Sequence, residues 1–202
     1  NDFSPRLLDT LAALPKVGRH IHLPVQSGST RVLKDMRRGY TEEAYRGLIE
    51  AVRRTLPDFA LTTDIIVGYP GETEEDHQET LSLMEYVKYD FGYMFAYSER
   101  PNTFAARKME DNVPLEVKKR RLSEIIALQQ KHSAERTAAY VGQTLEVLVE
   151  GRSKRSEDDL FGRTTHNTVV VFPREDYRAG EWVSVHIERS TPATLLGKAV
   201  GY

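Results

Sequence analysis

Hydrophobic positions over the first 140 residues alternate between helical and extended spacing. The predicted order is helix, strand, helix, helix, strand, helix, strand, helix. The best-defined strand covers residues 61–67, an apolar, β-branched run with one carboxylate, Asp64, which is typical of a buried parallel strand. Strands that alternate with helices in this manner indicate parallel βα units.

The strand over residues 61–67 is followed by a glycine-rich loop and a predicted helix start. Gly68 and Gly71 end the strand, and Thr73 with Asp76 three residues later predicts a capping box in which Asp replaces the usual Glu or Gln. Ligands of α/β proteins bind at the carboxyl ends of parallel strands, where backbone N–H groups and a helix N-terminus face outward. This unit is therefore a candidate ligand site, although most units of this kind are plain connections.

The pattern changes at Gln143, after which no segment keeps a helical period. Turn residues separate five short strands, and we expect a small antiparallel barrel. The predicted strands cover residues 145–150, 160–164, 169–172, 182–187 and 195–200. Barrels of this size often bind RNA, and many others only join protein partners.

Basic side chains cluster in the first loop of the predicted barrel. Arg152, Lys154 and Arg155 lie there, and Arg163 follows on the next strand. Such a loop is suited to phosphate contacts, but a solubilising hairpin loop is an equally good interpretation. A second basic run, residues 118–121, falls early on the last predicted helix, where we favour a solvated face.

Composition limits the possible functions. The chain has 202 residues, of which 40% are hydrophobic and 29% charged, as in soluble globular proteins. It contains no apolar run long enough to cross a membrane and no signal peptide, so we expect a cytoplasmic location and no membrane partner. The net charge of −2 gives no global attraction to nucleic acid. The chain starts at Asn1 without a methionine, and we interpret it as a fragment of a longer protein.

Cysteine is absent, which excludes disulfides, a thiolate nucleophile and cysteine metal ligands within these residues. None of the six histidines has a metal-ligand partner at a recognisable spacing, so no metal site is predicted. His20 and His22 would share one face of a strand, and we favour a packed or solvent-bonded pair over a ligand pair.

Several motifs together resemble the radical S-adenosylmethionine methylthiotransferases. The resemblance covers nearly the whole chain, and the motifs occur in the family's order and spacing: HLPVQSGSTRVLKDMRRGYT, TTDIIVGYPGETEED, YSERPNT, VPLEVKKRRL, LVEGRSKRS and LFGRT. It implies that residues 1–140 are the C-terminal part of a partial TIM-like (β/α) radical SAM barrel. It also implies that residues 141–202 form a TRAM domain, an OB-like β-barrel that binds RNA.

The resemblance implies a tRNA-modifying activity for the parent protein. The family uses S-adenosylmethionine and two 4Fe-4S clusters, each held by a cysteine triad, and this chain has no cysteine. We therefore expect the fragment to be inactive alone. SKRS and YSERPNT favour the branch that adds a methylthio group to C2 of isopentenyl-adenosine beside the anticodon. The alternatives are a sibling enzyme acting on threonylcarbamoyl-adenosine or a ribosomal-protein aspartate, a non-catalytic RNA-binding protein, and a plain small-molecule-binding α/β protein.

The resemblance also implies roles for individual residues. Gln26 resembles a residue that meets the methionine or ribose part of S-adenosylmethionine, Arg38 one that pairs with its carboxylate, and Asp64 one that binds the ribose hydroxyls. Gly68 would let the backbone approach the adenine, and Ser27 is a further cofactor candidate. The structural alternatives are that Arg38 caps its helix and that Asp64 pairs inside the barrel.

Three neighbouring strand ends are expected to line the cofactor pocket, and the loop of residues 98–103 to face tRNA there. Arg100 is the candidate for substrate contact, with bracing of the loop as the alternative. The family commonly has glycine where this chain has Asn102, but asparagine also tolerates a left-handed backbone. The expected partners are tRNA and an electron donor to the cluster, and the expected state is a monomer.

Overall fold

The computed structural model describes residues 3–154 and 156–201, which divide into two compact units. One unit contains the residues up to Val17 together with His22–Gln129, and the other contains Gly18–Ile21 together with the residues from Gln130 onwards. Arg155 lies outside the described residues. In the part of the chain that the structure describes, no helix is both long and apolar enough to cross a membrane.

A three-stranded sheet has the order β1-β2-β3, and its strands β2 and β3 belong to the first unit. β2 and β3 are parallel, in a register that runs from Thr62 opposite Phe91 to Val67 opposite Ala96. The elements up to the unit boundary, which falls within α6, are α1 (Pro5–Ala13), β1 (His20–His22), α2 (Thr30–Asp35), α3 (Glu42–Thr55), β2 (Ala60–Val67), α4 (Glu74–Val87), β3 (Phe91–Ala96), α5 (Phe104–Lys108) and α6 (Leu115–Ala138). The predicted alternation of helices and parallel strands is confirmed, and α5 was not predicted.

Local sequence signals determine where α4 begins. The Thr73 hydroxyl accepts a hydrogen bond from the Asp76 N–H at 3.3 Å, and the Asp76 carboxylate accepts one from the Thr73 N–H at 2.7 Å. This is the predicted capping box, and it satisfies two N–H groups at the helix N-terminus.

The strand predicted to contain His20 and His22 is only three residues long in the structure. β1 ends at His22, because Pro24 has no N–H to donate to the ladder. The Val25 N–H instead donates to the Thr63 hydroxyl at 3.0 Å, and Gln26 then forms a single parallel bridge with Ile65. The chain thus stays beside β2 as far as Gln26.

The basic run on α6 is only partly solvated, so the prediction of a solvated face is wrong for two of its four residues. Lys118 and Arg121 are each 4% exposed. The Lys118 ammonium lies 2.6 Å from both Asp111 carboxylate oxygens, and Arg121 Nη1 lies 2.8 Å from Glu72 Oε1. Buried charges require such partners, and here they come from outside the helix.

The second unit contains a closed barrel of five strands in the order β4-β5-β6-β8-β7. The strands are β4 (Thr144–Arg152), β5 (Asp159–Thr164), β6 (Val169–Pro173), β7 (Trp182–Ser190) and β8 (Thr194–Ala199). All five correspond to the predicted strands. Alternate residues fill the interior, including Val147, Val170 and Val185. β6 and β8 pair in parallel, so the prediction of a wholly antiparallel barrel is wrong for this pair.

Candidate functional site

A cleft of about 590 Å³ in the first unit opens at the carboxyl halves of β2 and β3 and at the segment that follows β1. Four of the residues singled out from the sequence line it together: Gln26, Arg38, Asp64 and Arg100. The other lining residues are Asp35, Met36, Ile66, Tyr69, Phe95, Ala96, Tyr97, Ser98, Thr103, Phe104 and Ala105. These residues come from the segment after β1, from β2, from β3 with the residues after it, from α2 with the residues after it, and from α5 with the loop before it.

Gln26 is held against β2 by its backbone. Its N–H donates to the Asp64 carbonyl at 2.9 Å, and its carbonyl accepts from the Ile66 N–H at 2.9 Å. Gln26 is only 6% exposed. Its backbone φ is 73°, a left-handed conformation that residues other than glycine rarely adopt. Backbone strain of this kind is found preferentially at functional sites.

Asp64 lies on β2, and its side chain is 30% exposed. His22 Nε2 lies 3.5 Å from Asp64 Oδ1, while His22 Nδ1 shares a hydrogen bond with the Thr62 hydroxyl at 2.9 Å. The edge of the Tyr93 ring packs on the imidazole, with the ring centroids 6.1 Å apart. Asp64 therefore pairs inside the sheet and also lines the cleft. The part played by His22 was missed at the sequence level.

Arg38 follows α2 and is exposed. Its backbone N–H donates to the Leu33 carbonyl at 2.8 Å, which closes the end of the helix. Its guanidinium makes no hydrogen bond or ion pair with any residue that the structure describes. The neighbouring Arg37 has a φ of 58°, and its guanidinium lies 3.6 Å from the centre of the Phe104 ring. This cation–π contact fixes α5 beside the segment that presents Arg38.

The loop before α5 presents Arg100 to the cleft. Asn102 has a φ of 68°, which confirms that asparagine takes the left-handed conformation at this position. The Thr103 hydroxyl donates to the Arg100 carbonyl at 2.9 Å and accepts from the Ala106 N–H at 3.2 Å. Thr103 therefore joins the loop to the first turn of α5 as its N-cap.

Ser27 and Gly68 do not line this cleft. Ser27 is fully buried, where its hydroxyl accepts from the Ser29 N–H at 3.1 Å and lies 3.4 Å from the Thr80 hydroxyl. The Gly68 N–H donates to Glu72 Oε1 at 2.8 Å, and the space beside its Cα is filled by Lys118. In the structure, both residues shape the loops behind the cleft.

Aromatic side chains form much of the cleft wall and were not singled out from the sequence. The rings of Tyr69 and Tyr97 meet edge to face with centroids 5.3 Å apart, and burial raises the pKa of both hydroxyls. Phe95 is 53% exposed. Alternation along β3 was a possible signal, because Phe91, Tyr93 and Phe95 share one side of the strand. The cleft thus offers flat apolar surfaces beside an amide, two carboxylates and two guanidinium groups.

The basic residues predicted for RNA contact differ in their surroundings. Arg152 and Lys154 are exposed, and their side chains make no hydrogen bond or ion pair with the described part of the chain. Arg163 is already engaged, since its Nη1 donates to the Asn167 carbonyl at 3.1 Å and its Nε lies 3.3 Å from Glu150 Oε1. The prediction for Arg155 falls on a residue that the structure does not describe.

Comparisons with known proteins match both parts of the chain. The family model described as the Radical SAM superfamily matches residues 1–84, and the TRAM domain model matches residues 138–200. A tRNA-2-methylthio-N(6)-dimethylallyladenosine synthase of Bacteroides fragilis is 56% identical over 199 residues, which is 98% of this chain. Proteins with the same name from Flavobacterium johnsoniae and Chlorobium phaeobacteroides are 52% and 55% identical over 99% and 97% of the chain. The chain belongs to the radical S-adenosylmethionine methylthiotransferase family.

Within this methylthiotransferase family, the chain corresponds to the C-terminal part of the radical SAM domain and a TRAM domain. The parallel sheet and the closed five-stranded barrel agree with that assignment. The chain spans 42% of the length of the Flavobacterium relative and 44% of the Bacteroides relative, so less than half of either is represented.

Proposed function

We propose that this chain is the C-terminal part of an enzyme that adds a methylthio group to C2 of isopentenyl-adenosine next to the anticodon of tRNA. The names of the relatives that match almost the entire chain support this substrate. The observation that carries the proposal is the cleft in which Gln26, Arg38, Asp64 and Arg100 meet.

The lining of the cleft fits S-adenosylmethionine in its chemistry. Arg38 has a guanidinium that no described residue binds, and it would bind the methionine carboxylate as a planar fork. Asp64 would accept hydrogen bonds from the ribose hydroxyls, and Gln26 offers both a donor and an acceptor. Ser27 and Gly68 would contribute by shaping the loops behind these groups. When bound, S-adenosylmethionine supplies radical chemistry and a methyl group.

The parent protein would supply the two 4Fe-4S clusters and receive electrons from a separate donor. This chain has no cysteine to hold a cluster through thiolates. We therefore propose that these residues contribute one wall of the active site and are inactive alone. They position the cofactor and the substrate, while cluster ligation belongs to the remainder of the parent.

Contacts with tRNA would come from both domains, which we place at residues 1–140 and 141–202. Arg100 would meet the substrate at the cleft, while Arg152, Lys154, Arg155 and Arg163 would contact RNA from the TRAM barrel. The position of Arg100 on the cleft and the exposure of Arg152 and Lys154 support these roles. We propose a monomer that acts in the cytoplasm.

Nucleoside mass spectrometry of tRNA from a strain lacking the parent gene tests the proposal. We expect methylthio-isopentenyl-adenosine to disappear and isopentenyl-adenosine to accumulate. The wild-type parent gene should restore the modification, and variants with Arg38→Gln or Asp64→Asn should not. Glu43→Gln, an exposed change at the start of α3, is the control that should restore it. Unchanged methylthio-isopentenyl-adenosine in the deletion strain would overturn the proposal.

A further inference from the structure

Four residues form a continuous row across the outer surface of the barrel. Leu148 on β4 lies opposite Trp182 of β7 on one side and opposite Arg163 of β5 on the other, and Arg163 lies opposite Val169 of β6. Residues directly opposite each other share a face of the sheet. The row faces outward because the flanking residues Val147, Val149 and Val183 fill the core. We call Trp182, Leu148, Arg163 and Val169 the outer row.

Trp182 is 51% exposed and is the only tryptophan of the chain. Tryptophan is usually well buried, so a half-exposed indole on a rigid strand suggests a binding surface. The guanidinium of Arg163 is held in place by Glu150 and Asn167, which gives the row a second planar group. Indole and guanidinium planes are the groups on which proteins stack unpaired nucleobases.

A β-bulge lies beside the outer row. The register of β4 and β5 shifts between Val149 and Gly151, and Gly151 has a φ of 151° opposite Phe161. A Cβ at Gly151 would be in ordinary van der Waals contact with the Phe161 ring, at 3.9 Å, so the backbone conformation and not a lack of space favours glycine here. Bulges often occur next to functional sites and redirect the chain. Here β4 leads past the row into the exposed Arg152 and Lys154.

Two exposed cations beside the outer row are available to an anionic ligand. Arg152 and Lys154 have no acidic partner among the residues that the structure describes. Of the two acids that point outward from β4, Glu150 pairs with Arg163, and Glu146 accepts a hydrogen bond from the Ser184 hydroxyl. A purely apolar row would suit a protein partner, whereas stacking planes beside free cations suit single-stranded nucleic acid.

We propose that the outer row is the RNA-stacking surface of the barrel, with Trp182 as its principal stacking residue. An unpaired base of an RNA loop would lie on the indole, and Arg152 with Lys154 would bind the adjoining phosphates. RNA as the ligand class rests on the proposed function. The position of the surface and the role of Trp182 are inferred from the structure of the barrel alone.

Tryptophan fluorescence of the 202-residue chain tests this assignment without a label. The probe is an RNA hairpin with a single-stranded loop, and a blunt duplex of the same stem is the comparison. We expect the hairpin to quench the emission of Trp182 more than the duplex does. Trp182→Leu should weaken hairpin binding roughly 5- to 100-fold by fluorescence anisotropy of a labelled hairpin, while Trp182→Phe should retain most of the affinity.

Charge variants test whether Arg152 and Lys154 bind the phosphates next to the stacked base. Arg152→Gln and Lys154→Gln should each lower the affinity and reduce its dependence on salt. Lys198→Gln is the matched control, because the Lys198 ammonium already pairs with Glu188 at 2.8 Å. It removes the same charge from the barrel and should leave the affinity unchanged.

Two outcomes would contradict the proposed RNA-stacking surface. In the first, a natively folded Trp182→Leu variant binds the hairpin as tightly as the wild type does. In the second, the wild-type chain does not bind the hairpin. Neither result depends on tRNA analysis in the deletion strain. If the modification is lost in that strain but Trp182 has no effect on binding, the surface is wrong and the proposed function stands. Binding that depends on Trp182, together with unchanged tRNA, would support the surface and refute the proposed function.

Discussion

Gln26 and Asp64 are joined through their backbones, since the Gln26 N–H donates to the Asp64 carbonyl at 2.9 Å, and both residues line the same cleft. The relative position of the amide and the carboxylate is thus set by main-chain geometry. Such preorganisation reduces the entropy that is lost when a ligand binds. The left-handed φ of Gln26 is stabilised by the same bonds.

Asp64→Asn should weaken S-adenosylmethionine binding by the full-length parent about 10-fold or more, because it removes a charged acceptor. Equilibrium titration of the protein with S-adenosylmethionine measures the change. Glu50→Gln is the control, because Glu50 lies on α3 and hydrogen-bonds the Tyr86 hydroxyl at 2.9 Å, away from the cleft residues. Equal affinities for wild type and Asp64→Asn would contradict a ribose-binding role.

Gly68→Ala should destabilise the first unit more than Gly71→Ala does. Both glycines have positive φ, 70° and 79°, so both variants lose about 1–2 kcal/mol to backbone strain. A Cβ on Gly68 would also lie 2.4 Å from Lys118 Cγ, whereas a Cβ on Gly71 would have no non-neighbouring atom of the described residues within 4 Å. Lys118 is held by Asp111 and cannot easily move, so Gly68→Ala should cost about 1–3 kcal/mol more.

Urea denaturation followed by circular dichroism measures both losses. Adding Lys118→Ala to Gly68→Ala relieves the collision, so the double variant should lose less stability than the sum of the two single variants. Equal losses for the two glycines would show that the contact with Lys118 has no energetic effect.

Local signals predicted the elements that depend on local interactions. Residues 61–67 and the capping box at Thr73 needed only their neighbours, and both were confirmed. The burial of Arg121 depends on Glu72, which is 49 positions away, and helical periodicity carries no information about that distance. The helix α5 has only five residues, so it shows little periodicity, and its local signals are limited to its ends, such as Thr103 as the N-cap.

In the candidate site too, local sequence patterns identified individual residues but not the long-range contacts between them. Gln26, Arg38 and Asp64 were identified through motifs, and the structure brings them to one cleft. The contact between His22 and Asp64 was not foreseen, because it depends on the register between β1 and β2. Which aromatic residues form the wall likewise depends on which side of β3 faces the cleft.

Acidification should remove the stabilisation that Asp76 provides. Burial disfavours its carboxylate, but hydrogen bonds from Arg31, Ser29 and Thr73 outweigh that cost and lower its pKa from 3.8 to about 2. A depressed folded-state pKa means that the stabilisation is complete above the unfolded value and is lost as pH falls from about 4 through about 2. The shift corresponds to roughly 2 kcal/mol.

The difference in unfolding free energy between wild type and Asp76→Asn isolates this contribution. We expect a difference of roughly 2 kcal/mol at about pH 7 that shrinks towards about pH 2. Glu43→Gln, an exposed carboxylate removed near the start of α3, serves as the control and should show little difference at either pH. A difference for Asp76→Asn that is independent of pH would mean that its charge is not what stabilises the helix start.

Arg121→Met should destabilise the first unit by about 3–5 kcal/mol at about pH 7, because it leaves a buried carboxylate without its cation. The Glu72 side chain is 1% exposed, and burial already raises its pKa although Arg121 opposes the shift. Without Arg121 the pKa of Glu72 should rise further. Lys119→Met is the control on the same helix, where the ammonium is exposed, and it should change stability by less than about 1 kcal/mol.

The pH dependence and a double variant separate lost charge pairing from lost packing. A carboxyl group with a raised folded-state pKa favours folding at low pH and loses that contribution as pH rises through the folded value. The destabilisation caused by Arg121→Met should therefore shrink on acidification, as Glu72 becomes protonated. Glu72→Leu combined with Arg121→Met should recover much of the loss, because apolar pairs often replace buried ion pairs without cost. If the double variant loses as much unfolding free energy as the two single variants together, the electrostatic coupling between Glu72 and Arg121 is negligible. Packing and the hydrogen bond from the Gly68 N–H would then hold the two side chains in place.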